Sequence, residues 1–137
     1  MNNKPVYDFL GYKLLNASFN RFNDNNLQQF SIIITDRYYN EQNQVYSFSI
    51  KLKLNFKGND ISSIQFLTAF LINDKTWFEL LDNNMRDAMF FSIVFPFIRQ
   101  KINEFCDDSR EQVKLPIINL KDITLDKEVI FNYFNEK

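Results

Sequence analysis

The sequence of 137 residues predicts an α+β fold, a four-stranded antiparallel sheet followed by a long helix and a short C-terminal helix, on three observations. Tyr46, Phe48, Ile50, Leu52, Leu54 and Phe56 are apolar at every even position, against Ser47, Ser49, Lys51, Lys53 and Asn55 at the odd ones. That is the period of a half-buried strand with one wet face. Phe91, Val94, Ile98, Ile102 and Phe105 recur at spacings of three and four, the period of a helix that buries one side. Short polar segments separate the strand-like stretches, and parallel strands would need longer crossovers, so the sheet is expected to be an antiparallel meander.

Taken in order, residues 1–8 are polar, contain Pro5 and are expected to be loose. An untidy first strand runs from Phe9 to Phe22, with apolar residues on both parities, and Asn23-Asp24-Asn25-Asn26 supplies a turn. Phe30 to Thr35 is rich in isoleucine and reads as a second strand running on to Tyr39; Tyr46 to Phe56 is the third. Lys57-Gly58-Asn59-Asp60 turns the chain into a fourth strand through Ile64, Phe66, Phe70 and Ile72. Trp77, Phe78, Leu80 and Leu81 form an aromatic link to the long helix, Asn83 to Cys106, with Asn83 or Asn84 as its cap. Pro96 inside that pattern predicts two helical pieces meeting there. Leu115 to Leu120 is extended beside Pro116, and a last helix is expected from Asp126 to Asn135, with Val129, Ile130, Tyr133 and Phe134 as its stripe.

The length suits one domain, with net stability on the order of 10 kcal/mol. Sixteen Phe, six Tyr and one Trp, against two Gly, are an aromatic excess that fills a core or coats a binding surface. The net charge of −1, with both signs interspersed, gives no electrostatic footprint for nucleic acid. No run approaches the apolar length of a membrane span, the N-terminus lacks the apolar core of a signal peptide, and the single cysteine suits a reducing compartment, so the cytoplasm is the expected location. Histidine is absent, which removes the commonest general base and metal ligand and leaves Cys106 without an activating partner. Glycine-rich phosphate motifs are also missing. Catalysis, a metal and a cofactor are therefore not expected.

The order of elements and three motifs resemble the SecB family of tetrameric bacterial export chaperones. Val94-Phe95-Pro96-Phe97-Ile98-Arg99 is similar to the family's LFPYAR, Leu115-Pro116-Ile117-Ile118-Asn119-Leu120 to its FPQLNL, and Phe131-Asn132-Tyr133-Phe134 to its MNYL. The resemblance implies an ATP-independent holdase, a dimer of dimers that binds unfolded clients in aromatic grooves and hands them to a translocase, or that serves a dedicated client such as an antitoxin. It places Trp77, Phe78, Tyr133 and Phe134 at the client groove, although each could equally cap the sheet. Phe91, Val94, Ile98 and Ile102 are core or oligomer interface on their spacing. Arg37, Lys51 and Lys53 would form the wet sheet face, basic where the family's is acidic, and so a docking face for an acidic partner. The alternative is an adaptor of the same fold that binds one folded partner.

Overall fold

The computed structural model describes residues 5–18, 27–56, 60–105 and 129–132. Four long strands, β1 (Tyr7–Ser18), β2 (Leu27–Asn40), β3 (Val45–Phe56) and β4 (Asp60–Ile72), precede a short helix α1 (Lys75–Glu79), the long helix α2 (Asn83–Phe105) and a last strand β5 (Val129–Asn132). All strand pairs are antiparallel, in the order β1-β4-β3-β2-β5. The α+β class and the antiparallel four-stranded sheet expected from the sequence are both present.

The meander holds for β2, β3 and β4, but β1 lies beside β4 and not beside β2. Cross-strand aromatics favour that place: Tyr7 and Phe9 of β1 stand 5.9 and 5.1 Å from the ring of Phe70, and Tyr12 stands 5.9 Å from that of Phe66. Asn73, just past β4, fastens the entry to β1. Its backbone N–H donates to the Val6 carbonyl at 2.9 Å and its side-chain amide to Pro5 O and Asp8 Oδ2, each at 2.9 Å.

Residues 129–132 are not part of a terminal helix. They add a strand to the free edge of β2, from Ile32↔Val129 to Gln29↔Asn132. A β-branched pair followed by Phe suits a strand, and a four-residue apolar run does not distinguish the two periods. The rest of the expected terminal helix lies outside the described residues, as do the Asn23–Asn26 turn, most of the Lys57–Asp60 turn, Cys106 and the Leu115–Leu120 segment.

Helix α2 is continuous through Pro96, which sits on its exposed side. The carbonyl that Pro96 leaves without an N–H belongs to Ser92, which is also exposed, so the missing bond does not require a break. Asp82, not Asn83 or Asn84, caps the helix: its Oδ1 accepts from the Met85 N–H at 2.8 Å. Asp74 caps α1 in the same way, accepting from the Trp77 N–H at 3.0 Å.

One face of the sheet packs on α2. The even residues of β3, Tyr46, Phe48, Ile50, Leu52 and Leu54, are all buried, as are Phe90, Phe91, Val94, Ile98 and Ile102 of the helix. Phe90 meets Phe70 at 4.4 Å between ring centres. Beneath the start of α2 a β-bulge places Asp36 and Arg37 between the pairs Thr35↔Ser49 and Tyr38↔Ser47, two residues against one. Asp36 takes a φ of 56°, and Arg37 turns to the helix side. There its Nε donates to Asp87 Oδ1 at 3.1 Å and its Nη2 to Oδ2, a two-pronged pair with a carboxylate that is 2 % exposed.

Candidate functional site

Strand β1 forms one edge of the sheet, pairing only with β4 among the described residues. Half of its backbone N–H and C=O groups therefore point away from the sheet. It carries two irregularities, between Phe9 and Gly11 and between Leu14 and Asn16. Gly11 adopts a φ of 130°, which glycine tolerates and other residues rarely do. Each irregularity advances the side-chain phase by one. Tyr7, Phe9, Tyr12 and Leu14 consequently face the helix together, opposite Ile72, Phe70, Thr68 and Phe66.

These side chains meet helices α1 and α2 in a row of rings. Trp77 stacks on Tyr7 at 5.9 Å, Tyr7 meets Phe90 edge-on at 5.4 Å, and Phe97 lies against Phe9 at 5.6 Å and Tyr12 at 5.9 Å. Such contacts fix the rings while leaving outer edges wet. Phe97 is 43 % exposed and Leu14 37 %. On α2, Met85, Met89, Ile93 and Phe97 follow at spacings of four, an apolar flank along the helix. From Tyr7 to Leu14, seven strand steps, the ledge is about 23 Å long. Partly exposed rings beside backbone that has no strand partner among the described residues can take up an extended chain: the strand edge supplies hydrogen bonds, and the rings supply apolar contact that asks for no particular sequence.

Of the four residues expected at a client groove, the structure places only Trp77 on this ledge. Phe78 is 2 % exposed and belongs to the core, with Tyr39 and Tyr46 each 5.0 Å from its ring and the Arg86 guanidinium 3.8 Å above it. Tyr133 and Phe134 lie outside the described residues. Phe91, Val94, Ile98 and Ile102, each 0 % exposed, are core within this one chain. Arg37 does not share a face with Lys51 and Lys53, since its bulge sends it to Asp87 while the two lysines stand exposed on the opposite side of the sheet.

Tyr7, Phe9, Tyr12 and Phe97 were missed as site residues because strict alternation puts Phe9 and Tyr12 on opposite faces. Gly11 between them was the available signal, since an isolated glycine in a strand pattern marks a bulge. Beside the ledge, burial pushes the Tyr46 phenol up to about 12, with the nearby Asp87 carboxylate adding to the shift. Among the described residues no cluster of His, Cys, Asp and Glu could hold a metal ion, and no helix is long and apolar enough to cross a membrane.

No protein-family model and no curated protein matches the sequence. Among solved structures, the fold is similar to that of a SecB-like chaperone of Mycobacterium tuberculosis in complex with a peptide from the HigA1 antitoxin, at a TM-score of 0.58 and 12% identity over 82% of this chain and 88% of that one. A protein of unknown function from Streptococcus agalactiae matches at a TM-score of 0.36 and 11% identity, over 80% of this chain and 92% of that one. At such identities the first likeness is one of fold.

Proposed function

We propose that this protein is an ATP-independent holdase that binds unfolded polypeptide along the β1 edge. One observation carries the reading: a strand edge with no partner among the described residues and a row of partly exposed aromatic side chains run side by side. Clients would lie extended on β1, with apolar side chains on Phe97, Tyr12 and Trp77. The likeness to a SecB-like chaperone supports it, and that neighbour's complex with an antitoxin peptide supports a narrower form in which the client is dedicated, an aggregation-prone antitoxin. Transfer to a translocase is the other narrow form. In this reading the protein works without a cofactor, in the cytoplasm, and as a dimer of dimers whose ledges join into longer grooves.

The test is suppression of aggregation of two unrelated proteins diluted from denaturant without nucleotide, alongside solution mass by light scattering. Protection of both supports a general holdase, and protection of an antitoxin alone supports a dedicated one. Failure to protect any client would leave the adaptor reading in its place, and a monomer would remove the joined grooves.

A further inference from the structure

We propose that Arg86 is a positioning residue for the ledge: by holding Phe78 at two points it locks helix α1 in the orientation that lays Trp77 over Tyr7. The effect on clients rests on the holdase reading, whereas the placement of Trp77 stands apart from it. With five residues, α1 is too short to keep its shape in water alone, so its conformation is imposed by what it touches. Phe78 is its one buried residue, enclosed by the rings of Tyr39 and Tyr46, each 5.0 Å away. Arg86, one turn into α2, completes that enclosure. Its guanidinium carbon stands 3.8 Å from the centre of the Phe78 ring, and its Nη2 donates to the Phe78 carbonyl at 2.8 Å. The cation over the ring fixes the side chain, and the hydrogen bond fixes the backbone of the same residue.

Trp77 precedes Phe78 and points about 100° away from it around the helix axis. With Phe78 seated in the core, the indole is carried to the rim, where it lies 5.9 Å from Tyr7 with the planes 18° apart and meets Phe90 edge-on at 6.4 Å. Arg86 is committed to this contact and not to an ion pair. The neighbouring Asp87 carboxylate is held by both prongs of Arg37, and among the described residues no carboxylate bonds to Arg86 and its Nε has no hydrogen-bond partner. A buried Nε–H without a partner is unfavourable, so the ring face and the one carbonyl are what hold the guanidinium in place. The other ties of α1 are weaker: Asp74 caps its first turn, and Lys75 reaches Glu41 at 3.4 Å between two exposed side chains. Without Arg86, a turn of α1 takes Trp77 off Tyr7, and the row of rings loses its first member.

The chain's one tryptophan is its own reporter. On Arg86→Met, acrylamide quenching of Trp77 is expected to rise severalfold and its fluorescence anisotropy to fall, with far-ultraviolet circular dichroism and cooperative urea unfolding retained. Affinity for a labelled, permanently unfolded client should fall about fivefold, as on Trp77→Ala, and the double variant should be no weaker than Trp77→Ala alone, because Arg86 acts through Trp77. Arg86→Lys, which keeps the charge without the planar fork, should lie between. Lys75→Ala, which cuts the exposed tie, should leave the quenching unchanged. Quenching and anisotropy that stay native on a folded Arg86→Met, or additive losses in the double variant, would overturn the proposal. Should Arg86→Met unfold, Arg86→Lys carries the same comparison, and loss of the fold in both would count equally against it, since Arg86 would then serve the core alone. A native protein that binds no client would remove the holdase reading, and the quenching series would still decide where Arg86 places Trp77.

Discussion

Replacing Phe97 by Ser separates the ledge from the fold, because Phe97 belongs to both in known proportion. Its side chain is 43 % exposed, which for a phenylalanine of about 200 Å² leaves about 90 Å² for a client to cover. At about 25 cal/mol per Å² that area is worth about 2 kcal/mol of binding, or roughly thirtyfold in affinity. The buried remainder rests on Phe9 and Tyr12 at the sheet's edge, where neighbours can close in, so the stability cost should stay at about 1–3 kcal/mol. Urea denaturation gives the second quantity, and anisotropy of a labelled, permanently unfolded client gives the first. The expected variant is folded, moderately destabilised, and weaker for clients by one to two orders of magnitude. An affinity that stays within twofold on a folded variant would refute the ledge as the client site, whatever the native protein does in aggregation assays.

Three other perturbations have definite expected outcomes. Ile98→Asp puts a carboxylate at a site with no exposure, so it should abolish cooperative unfolding; a folded variant of altered solution mass would instead show an interface there. Asp87→Ala leaves the mostly buried Arg37 guanidinium without the Asp87 carboxylate and should cost about 3–5 kcal/mol in urea, more than removing both charges with Arg37→Met and Asp87→Leu. Tyr46 is held neutral by burial, with its phenol up at about 12 against an ordinary value near 10. Because the folded value is the higher one, this contribution is fully present below pH 10 and lost as pH rises to 12, for about 2–3 kcal/mol in all. Tyr46→Phe should remove that alkaline loss and cost little at pH 7, because the hydroxyl has no hydrogen-bond partner among the described residues.

What could be read in the sequence depended on how far each element obeys a single period. Strand β3 alternates without interruption, and every even residue from Tyr46 to Leu54 is buried. Helix α2 gave its buried side from spacing alone, and Pro96 misled only because a proline on the wet side of a helix leaves its orphaned carbonyl to solvent. Strand order was not legible: β1 and β2 are joined by a short polar stretch, yet β1 pairs with β4, a choice made by Tyr7, Phe9 and Tyr12 finding Phe70 and Phe66. The resemblance put the whole linker, Phe78 with Trp77, at a groove, but in a one-turn helix adjacent residues point about 100° apart, so one faces the core and the other the rim. Arg37 was expected on the wet face with Lys51 and Lys53, but the bulge at Asp36 turns it to the helix side.

The ledge depends on a departure from regularity. Were β1 a regular strand, residues 7, 9, 11, 13 and 15 would face the helix and Tyr12 and Leu14 would face solvent, which would break the row of rings after Phe9. The irregularity at Leu10 and Gly11 instead carries Tyr12 back to the helix side, where it meets Phe97. A bulged edge is also harder for an identical edge to pair with than a flat one, because the register breaks at Leu10 and again at Leu15. An edge shaped in this way can accept a flexible chain that follows its bends while resisting the rigid strand of a folded neighbour. That selectivity, built from one glycine and two shifted registers, is what a binder of unfolded chains requires.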